Sequence, residues 1–171
     1  MKDRLPLDFY THDVLKVAPA LIGKELVLIA PEGIISKHLI TETEAYRGSE
    51  DKACHASKGR TARTEVMFHQ GGVLYMYLIY GMYWMLNIVT AVNDIPQAVL
   101  IRSLKHVKGP GRLTRELHLD SSYNWEDLVK SERIFIINTG IQCNYTAHPR
   151  IGIDYAGKYW SQKPWRYVLE E

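Results

Sequence analysis

The sequence predicts an α+β domain built on one curved, mostly antiparallel β-sheet with a few peripheral helices. Three observations carry that expectation. β-rich apolar runs recur along the chain, as in ELVLIA, LYMYLI and AVLIRSL. Short turn signals such as Pro31-Glu32-Gly33, Tyr80-Gly81-Met82 and Asn93-Asp94-Ile95-Pro96 separate many of them, as between hairpin-connected strands. Helical patterning is brief, so the helices pack outside a sheet rather than alternating with strands. A chain of 171 residues, 46% hydrophobic, buries a proper core, and a single domain over 1–171 is expected, with no repeats and no linker.

The elements follow in order. Thr11 is placed to cap a helix, with Asp13 favourable in its first turn. Val14, Leu15, Val17, Ala18 and Leu21 form its apolar stripe, Pro19 is expected to split it, and Gly23 to end it. Glu25 to Ala30 and Ile34 to Tyr46 read as strands about a Pro-Glu-Gly turn. Arg47 to Arg63 is polar and irregular, and long loops of that kind inside compact domains tend to be functional or disordered. Val73 to Ile79 and Tyr83 to Ala91 pair as a hairpin. Ala98 to Leu104 returns as a strand. Gly109-Pro110-Gly111 turns into a short helix, Leu113 to Leu117. Asn124 is expected to cap another at Trp125 to Val129. Ile134 to Asn138, Arg150 to Ile153 and Arg166 to Leu169 complete the strands.

Composition bounds the function less tightly. A net charge of +2 does not by itself announce a nucleic-acid partner. Its distribution is more telling. From Ile95 to Arg115 there is no acidic residue, while Arg102, Lys105, Lys108, Arg112 and Arg115 are present. A solvated face is the bland reading of such a run. Cys54 and Cys143 form no metal or redox motif and read as free thiols of a reducing, intracellular compartment. The N-terminus, MKDRLPLDFYTHD, lacks the apolar core of a signal peptide. Gly72 to Val92 carries no charge, but its tyrosines, Asn87 and the central Gly81 favour a buried hairpin over a membrane helix.

One stretch, Thr41 to Asn87, concentrates the chemistry. In an extended strand Glu42, Glu44 and Tyr46 share one face. A solvated edge strand would account for them, and so would a general base beside an aromatic wall. His55 stands in the following loop without the spacing of a zinc site. Tyr75 and Tyr77 alternate on the hairpin and are most simply core aromatics. Tyr80 breaks phase beside Gly81, where a ring can project from the turn. Arg102 lies inside an apolar strand and requires a partner or a phosphate. A carboxylate, a basic loop and exposed rings together suit a polyanion that carries flat bases.

ETEAYRG, a His nine residues after its Tyr, then MF, LYMYLIYGMYWMLN, LIRSL, GPGRLTREL and RIGI resemble the alkyladenine (3-methyladenine) DNA glycosylases of the methylpurine type. The resemblance runs from about Leu15 to Tyr167. It implies a monofunctional hydrolase of DNA repair that flips an alkylated or otherwise damaged purine out of double-stranded DNA and cuts its N-glycosidic bond with an activated water, leaving an abasic site. Glu44 would be the base that activates the water. Arg102 would help Glu44 hold the water and the sugar-phosphate, and the Ile151 carbonyl would touch the same water. Tyr46 would stack on the flipped base, with His55 opposite and Tyr77 in the same pocket, where cationic bases such as 3-methyladenine gain from the π faces. Asn87 would clash with the 2-amino group of normal guanine. Tyr80 would wedge into the duplex, with Met82, Tyr83, Lys105, Lys108 and Arg112 contacting DNA. The family's usual longer connection before the GPG turn is reduced here to Lys105 to Lys108. No cofactor and no metal are implied, no membrane partner is expected, and the protein is expected to act as a monomer. Two other classes fit the residues alone: a sugar glycoside hydrolase using Glu42 and Glu44, and a non-catalytic module that binds damaged or single-stranded nucleic acid by stacking.

Overall fold

The computed structural model describes residues 3–170. Met1, Lys2 and Glu171, at the ends of the domain expected over 1–171, lie outside the described residues. The helices are α1 (Leu7–Tyr10), α2 (Val14–Ala20), α3 (Pro110–Glu116) and α4 (Lys158–Ser161). The strands are β1 (Glu25–Ile29), β2 (Ile35–Tyr46), β3 (Leu74–Ile79), β4 (Tyr83–Thr90), β5 (Gln97–Leu104), β6 (Val107–Lys108), β7 (Ile134–Ile137), β8 (Tyr145–His148) and β9 (Arg166–Leu169). They form one nine-stranded sheet in the order β3-β4-β5-β2-β1-β7, with β6 on β5 and β9, itself paired with β8, on β2. Every strand pairing among the described residues is antiparallel. The α+β class and the single curved sheet are therefore as expected.

β2 is the spine of the sheet. Its first half pairs with β1, its second with β5 and β9, and the register shifts on either side of Glu42. Irregularities of this kind bend a strand and increase its twist, so β2 can serve both halves.

Period-2 alternation then sorts the side chains. Ala45 of β2, Leu74 and Met76 of β3, Leu86 and Ile88 of β4, and Val99 and Ile101 of β5 join the main core with Val14, Val17 and Leu21 around α2 and Leu113 of α3. Their neighbours in sequence take the opposite face. There Tyr46, Tyr75, Tyr77, Val89 and Ala98 pack with Cys54, Ala56, Val66 and Met67 from the loop between β2 and β3. α1, α2 and α3 thus pack on one face, and the other carries the loop, a cleft and Trp160 of α4, which joins Tyr46, Ala53, Ile153 and Ala156.

Several local expectations are corrected. Thr11 does not cap the long helix; it closes α1, and the Asp13 carboxylate caps α2 by accepting from the Leu15 N–H at 2.9 Å. Pro19 does not split α2: the helix runs through it to Ala20, and the Leu21 N–H still donates to the Val17 carbonyl. Trp125 to Val129 is not a helix. Trp125 N–H donates to the Leu74 carbonyl, Leu74 N–H to Glu126 and Leu128 N–H to Gly72, while the Asn124 side chain accepts from Met76 N–H. The segment satisfies the open edge of β3, which would otherwise offer unpaired backbone groups. Arg150 to Ile153 is not a strand either. Gly152 has a φ of 75°, and the Arg150 side chain is drawn to Asp51. β8, unexpected from its exposed and polar sequence, pairs with β9.

Candidate active site

The face opposite α2 opens into a cleft of about 490 Å³. β2 brings Tyr46 to it and Glu44 behind its wall, β3 brings Tyr77, β4 brings Asn87, and β5 brings Arg102. The edge-strand reading of β2 is corrected here, since that half of the strand is paired on both sides by β5 and β9.

Glu44 is the most constrained group. Its side chain has no exposed surface. One carboxylate oxygen accepts from the Tyr46 hydroxyl at 2.7 Å, and the other accepts from the Ile151 N–H at 2.8 Å. The Arg102 guanidinium lies 3.4 Å from the latter oxygen. Burial disfavours the anion and raises the carboxyl above its ordinary range, against the opposing pull of Arg102, the Ile151 N–H and the Tyr46 hydroxyl. The three groups that touch Glu44 all line the cleft, so the carboxylate lies one hydrogen bond behind its surface. Ile151 meets Glu44 through its N–H.

Glu42 shares the strand face but not the situation. Its carboxylate accepts from Ser103 Oγ at 2.7 Å and from Arg166 at 2.9 Å, with Arg102 at 3.4 Å. Burial pushes its carboxyl upward, but the Ser103 and Arg166 hydrogen bonds and the two guanidinium groups outweigh it and leave the carboxyl below its ordinary range. Arg102, mostly buried, therefore finds its partners in two carboxylates. Glu42 holds Arg102 from one side while Glu44 faces it from the other.

The aromatic walls are built from separate segments. The residues 55–58 form a single 3-10 turn, an ordered part of the segment expected to be an irregular loop. It presents His55, whose Nδ1 lies 2.9 Å from the Tyr75 hydroxyl and whose ring meets that of Tyr77 edge-on at 4.6 Å between centroids. Burial, with Arg63 and Lys58 nearby, lowers the His55 imidazole to about 4, so the ring is neutral at physiological pH. Asn87 is buried and donates its amide to the Tyr75 and Met85 carbonyls at 3.2 and 3.3 Å. These two bonds fix which way the side chain faces.

At the mouth of the cleft, the β3–β4 turn projects Tyr80, 84% exposed. Tyr80 and Gly81 have φ values of 53° and 66°, and Met82 N–H returns to the Ile79 carbonyl. Positive φ at both central residues is the turn sense that suits a twisted hairpin, but it is uncommon for an aromatic residue and strains it. α3 stands beside this turn. A Cβ on Gly111 would lie 2.9 Å from the Tyr83 side chain, so only glycine lets the helix backbone sit on that ring. Thr114 Oγ1 donates to the Trp84 carbonyl at 2.8 Å. Through these contacts Arg112 and Arg115 reach the rim. Met82 is exposed at the turn. Lys105 and Lys108 flank the tight β5–β6 connection and do not line the cleft.

Sequence reasoning missed a supporting pair. Arg150 and Asp51 are fully buried and doubly bonded, at 2.6 and 2.9 Å. Arg150 also donates to the Ala45 carbonyl and packs 4.8 Å from the Tyr46 ring centroid. It thus steadies the ring from behind and the Ile151 N–H from the side. The one signal available was the charge of Arg150 beside the apolar IGI.

Comparisons with known proteins converge. A family model described as methylpurine-DNA glycosylase matches residues 8–109 and 105–171, two segments that meet at the tight β5–β6 turn. Curated proteins that carry the name "Putative 3-methyladenine DNA glycosylase" align over nearly the whole chain. One from Methanocella arvoryzae is 42% identical, over 95% of this chain and 90% of its own. One from Rickettsia felis is 40% identical, over 98% and 93%. One from Legionella pneumophila is 41% identical, over 98% and 95%.

Proposed function

The chain belongs to the methylpurine-DNA glycosylase family, and from that premise we propose that it removes damaged purines from double-stranded DNA by hydrolysis alone. The observation that carries this reading is the setting of Glu44: a buried carboxylate behind a cleft walled by aromatic rings and rimmed by arginines. A base inside a duplex cannot reach such a cleft, so the nucleotide is extruded into it. Tyr80 fills the gap in the stack, and Arg112, with Lys105, Lys108, Met82 and Tyr83 around the same turns, holds the backbone.

Within the cleft Tyr46 supplies a stacking wall, with His55 and Tyr77 across from it. Asn87, fixed by its two carbonyl bonds, narrows the floor against a purine with a 2-amino group. A water admitted with the nucleotide attacks the anomeric carbon. The C–O bond forms as the C–N bond breaks, the electron pair leaves with the base, and Glu44 takes the proton from the water. Arg102 and the Ile151 N–H keep Glu44 ionised for that task against the effect of burial, and the Ile151 carbonyl helps orient the water.

The reaction requires no amine nucleophile. Lys52 and Lys58 are exposed, and no lysine lines the cleft among the described residues. A covalent imine with the sugar, the step behind strand cleavage, is thus without a donor. No helix among the described residues is long and apolar enough to cross a membrane. With free thiols at Cys54 and Cys143, the proposed place of action is a reducing intracellular compartment, as a monomer on DNA. Incubation with a duplex holding one alkylated purine tests the reading. The expected product is free base and an intact strand that breaks only after alkali. Direct nicking, or trapping with borohydride, would overturn the hydrolytic mechanism.

A further inference from the structure

Two protein guanidinium groups stand against the aromatic rings of the cleft, Arg150 buried behind that of Tyr46 and Arg63 on the cleft wall at that of Tyr77. Arg150 lies 4.8 Å from the centroid of Tyr46, and Arg63 lies 5.4 Å from that of Tyr77. The charge of Arg150 is balanced by Asp51 inside the fold. Arg63 has no ion-pair partner among the described residues, and it is exposed at the cleft wall. Arg63, Arg102, Arg112 and Arg115 line the cleft, and among the described residues no carboxylate does. Glu44 stands behind the surface with its charge shared among Arg102, Tyr46 and Ile151.

We propose that Arg63 sets the charge preference of this pocket, favouring damaged purines that are neutral in the nucleotide over purines that carry a formal positive charge on the ring. Hypoxanthine and ethenoadenine belong to the first class, 3-methyladenine and 7-methylguanine to the second. The proposal rests on the base-excision reading of the cleft given above. A ring face attracts a cation through its quadrupole, and at Tyr77 that attraction is already engaged by Arg63 from the cleft wall. A cationic base stacked there gains less from the Tyr77 face and meets the field of Arg63 at close range. A neutral base keeps the stacking and meets no such field. Arg112 and Arg115 stand at the rim, where DNA phosphates neutralise them. Arg63 stands on the stacking wall itself, beside His55 and Tyr77, and its field contributes to the lowered imidazole of His55.

The test uses two duplexes that differ only in one base, hypoxanthine or 7-methylguanine. Single-turnover release is divided by the spontaneous loss of each base, and binding of both duplexes is measured in parallel. The variants are Arg63→Gln and Arg63→Met, which remove the charge, and Arg63→Lys, which keeps it. The expected result is that both neutral variants shift the ratio of the two substrates toward 7-methylguanine by about tenfold, whereas Arg63→Lys stays near the wild type. A ratio that does not move in the neutral variants, with both substrates gaining or losing equally, overturns the proposal. So does a wild-type enzyme whose corrected release and binding favour 7-methylguanine. Should the wild type release neither base, the base-excision reading falls by itself. The binding ratio of the two duplexes then decides the charge preference, and no change in it on removing Arg63 overturns the proposal.

Discussion

At the scale of single residues, Glu42 and Glu44 are the same chemical group on the same strand face, two positions apart. Their partners separate them. Glu42 is drawn low by Ser103 and Arg166, and Glu44 is raised by burial. A base that works at neutral pH gains from a raised value, since it holds a proton more strongly while still ionised. In the proposed mechanism Glu44 acts deprotonated, so excision of a neutral lesion is expected to rise with pH through its ionisation, with an inflection above the ordinary carboxyl value. The same raised value means that the folded chain holds this proton more tightly than the unfolded chain. In that window stability falls as activity rises. His55, lowered to about 4, is already neutral across most of the range, so the inflection survives in His55→Gln. A single-turnover pH profile checks this. An inflection near 6.5 that disappears in His55→Gln would assign the ionisation to the imidazole instead.

At the scale of elements, the β3–β4 hairpin joins a buried, alternating body to a strained tip. Alternation made the body legible in the sequence, and the phase break at Tyr80 beside Gly81 made the tip legible. The strained φ of Tyr80 has no compensating contact in packing, since the ring is largely exposed, and strain retained without packing points to use. Tyr80→Gly relieves the backbone, so its thermal stability should equal or exceed that of the wild type. Its excision from duplex DNA should fall, and fall less on a single-stranded lesion, where extrusion costs little. Equal losses on both substrates, or a lowered melting temperature, would return Tyr80 to a structural role. Other elements were illegible for physical reasons. The segment after Asn124 carries helix-like signals, but the open edge of β3 claims its backbone. Arg150 and Asp51 find each other across 99 residues, a distance over which no local pattern operates. β8 is polar and exposed, and only its partner β9 makes it a strand.

At the scale of the whole molecule, a central strand divides the protein into a face covered by α2 and a cleft-bearing face, and the near-neutral total charge conceals a cleft whose basic lining, among the described residues, is of arginines. β2 serves both. Its inward residues Thr43 and Ala45 hold α2 and the core, with Thr43 Oγ1 donating to the Ala18 carbonyl at 2.9 Å, and its outward residues carry the proposed chemistry. The tight β5–β6 turn, with only Lys105 and His106 between its paired residues, brings the GPG turn and α3 straight onto Tyr83 and the rim. Fold and cleft therefore share one strand, and the account stands or falls on which of its carboxylates does the work. The direct measurement is single-turnover release of a neutral lesion base by Glu44→Gln and Glu42→Gln, with lesion-duplex binding measured alongside. The account predicts that Glu44→Gln loses about 10²–10⁴ in rate, the usual worth of a positioned general base, while still binding the duplex, and that Glu42→Gln loses much less. A dead Glu42→Gln beside a normally active Glu44→Gln would contradict it.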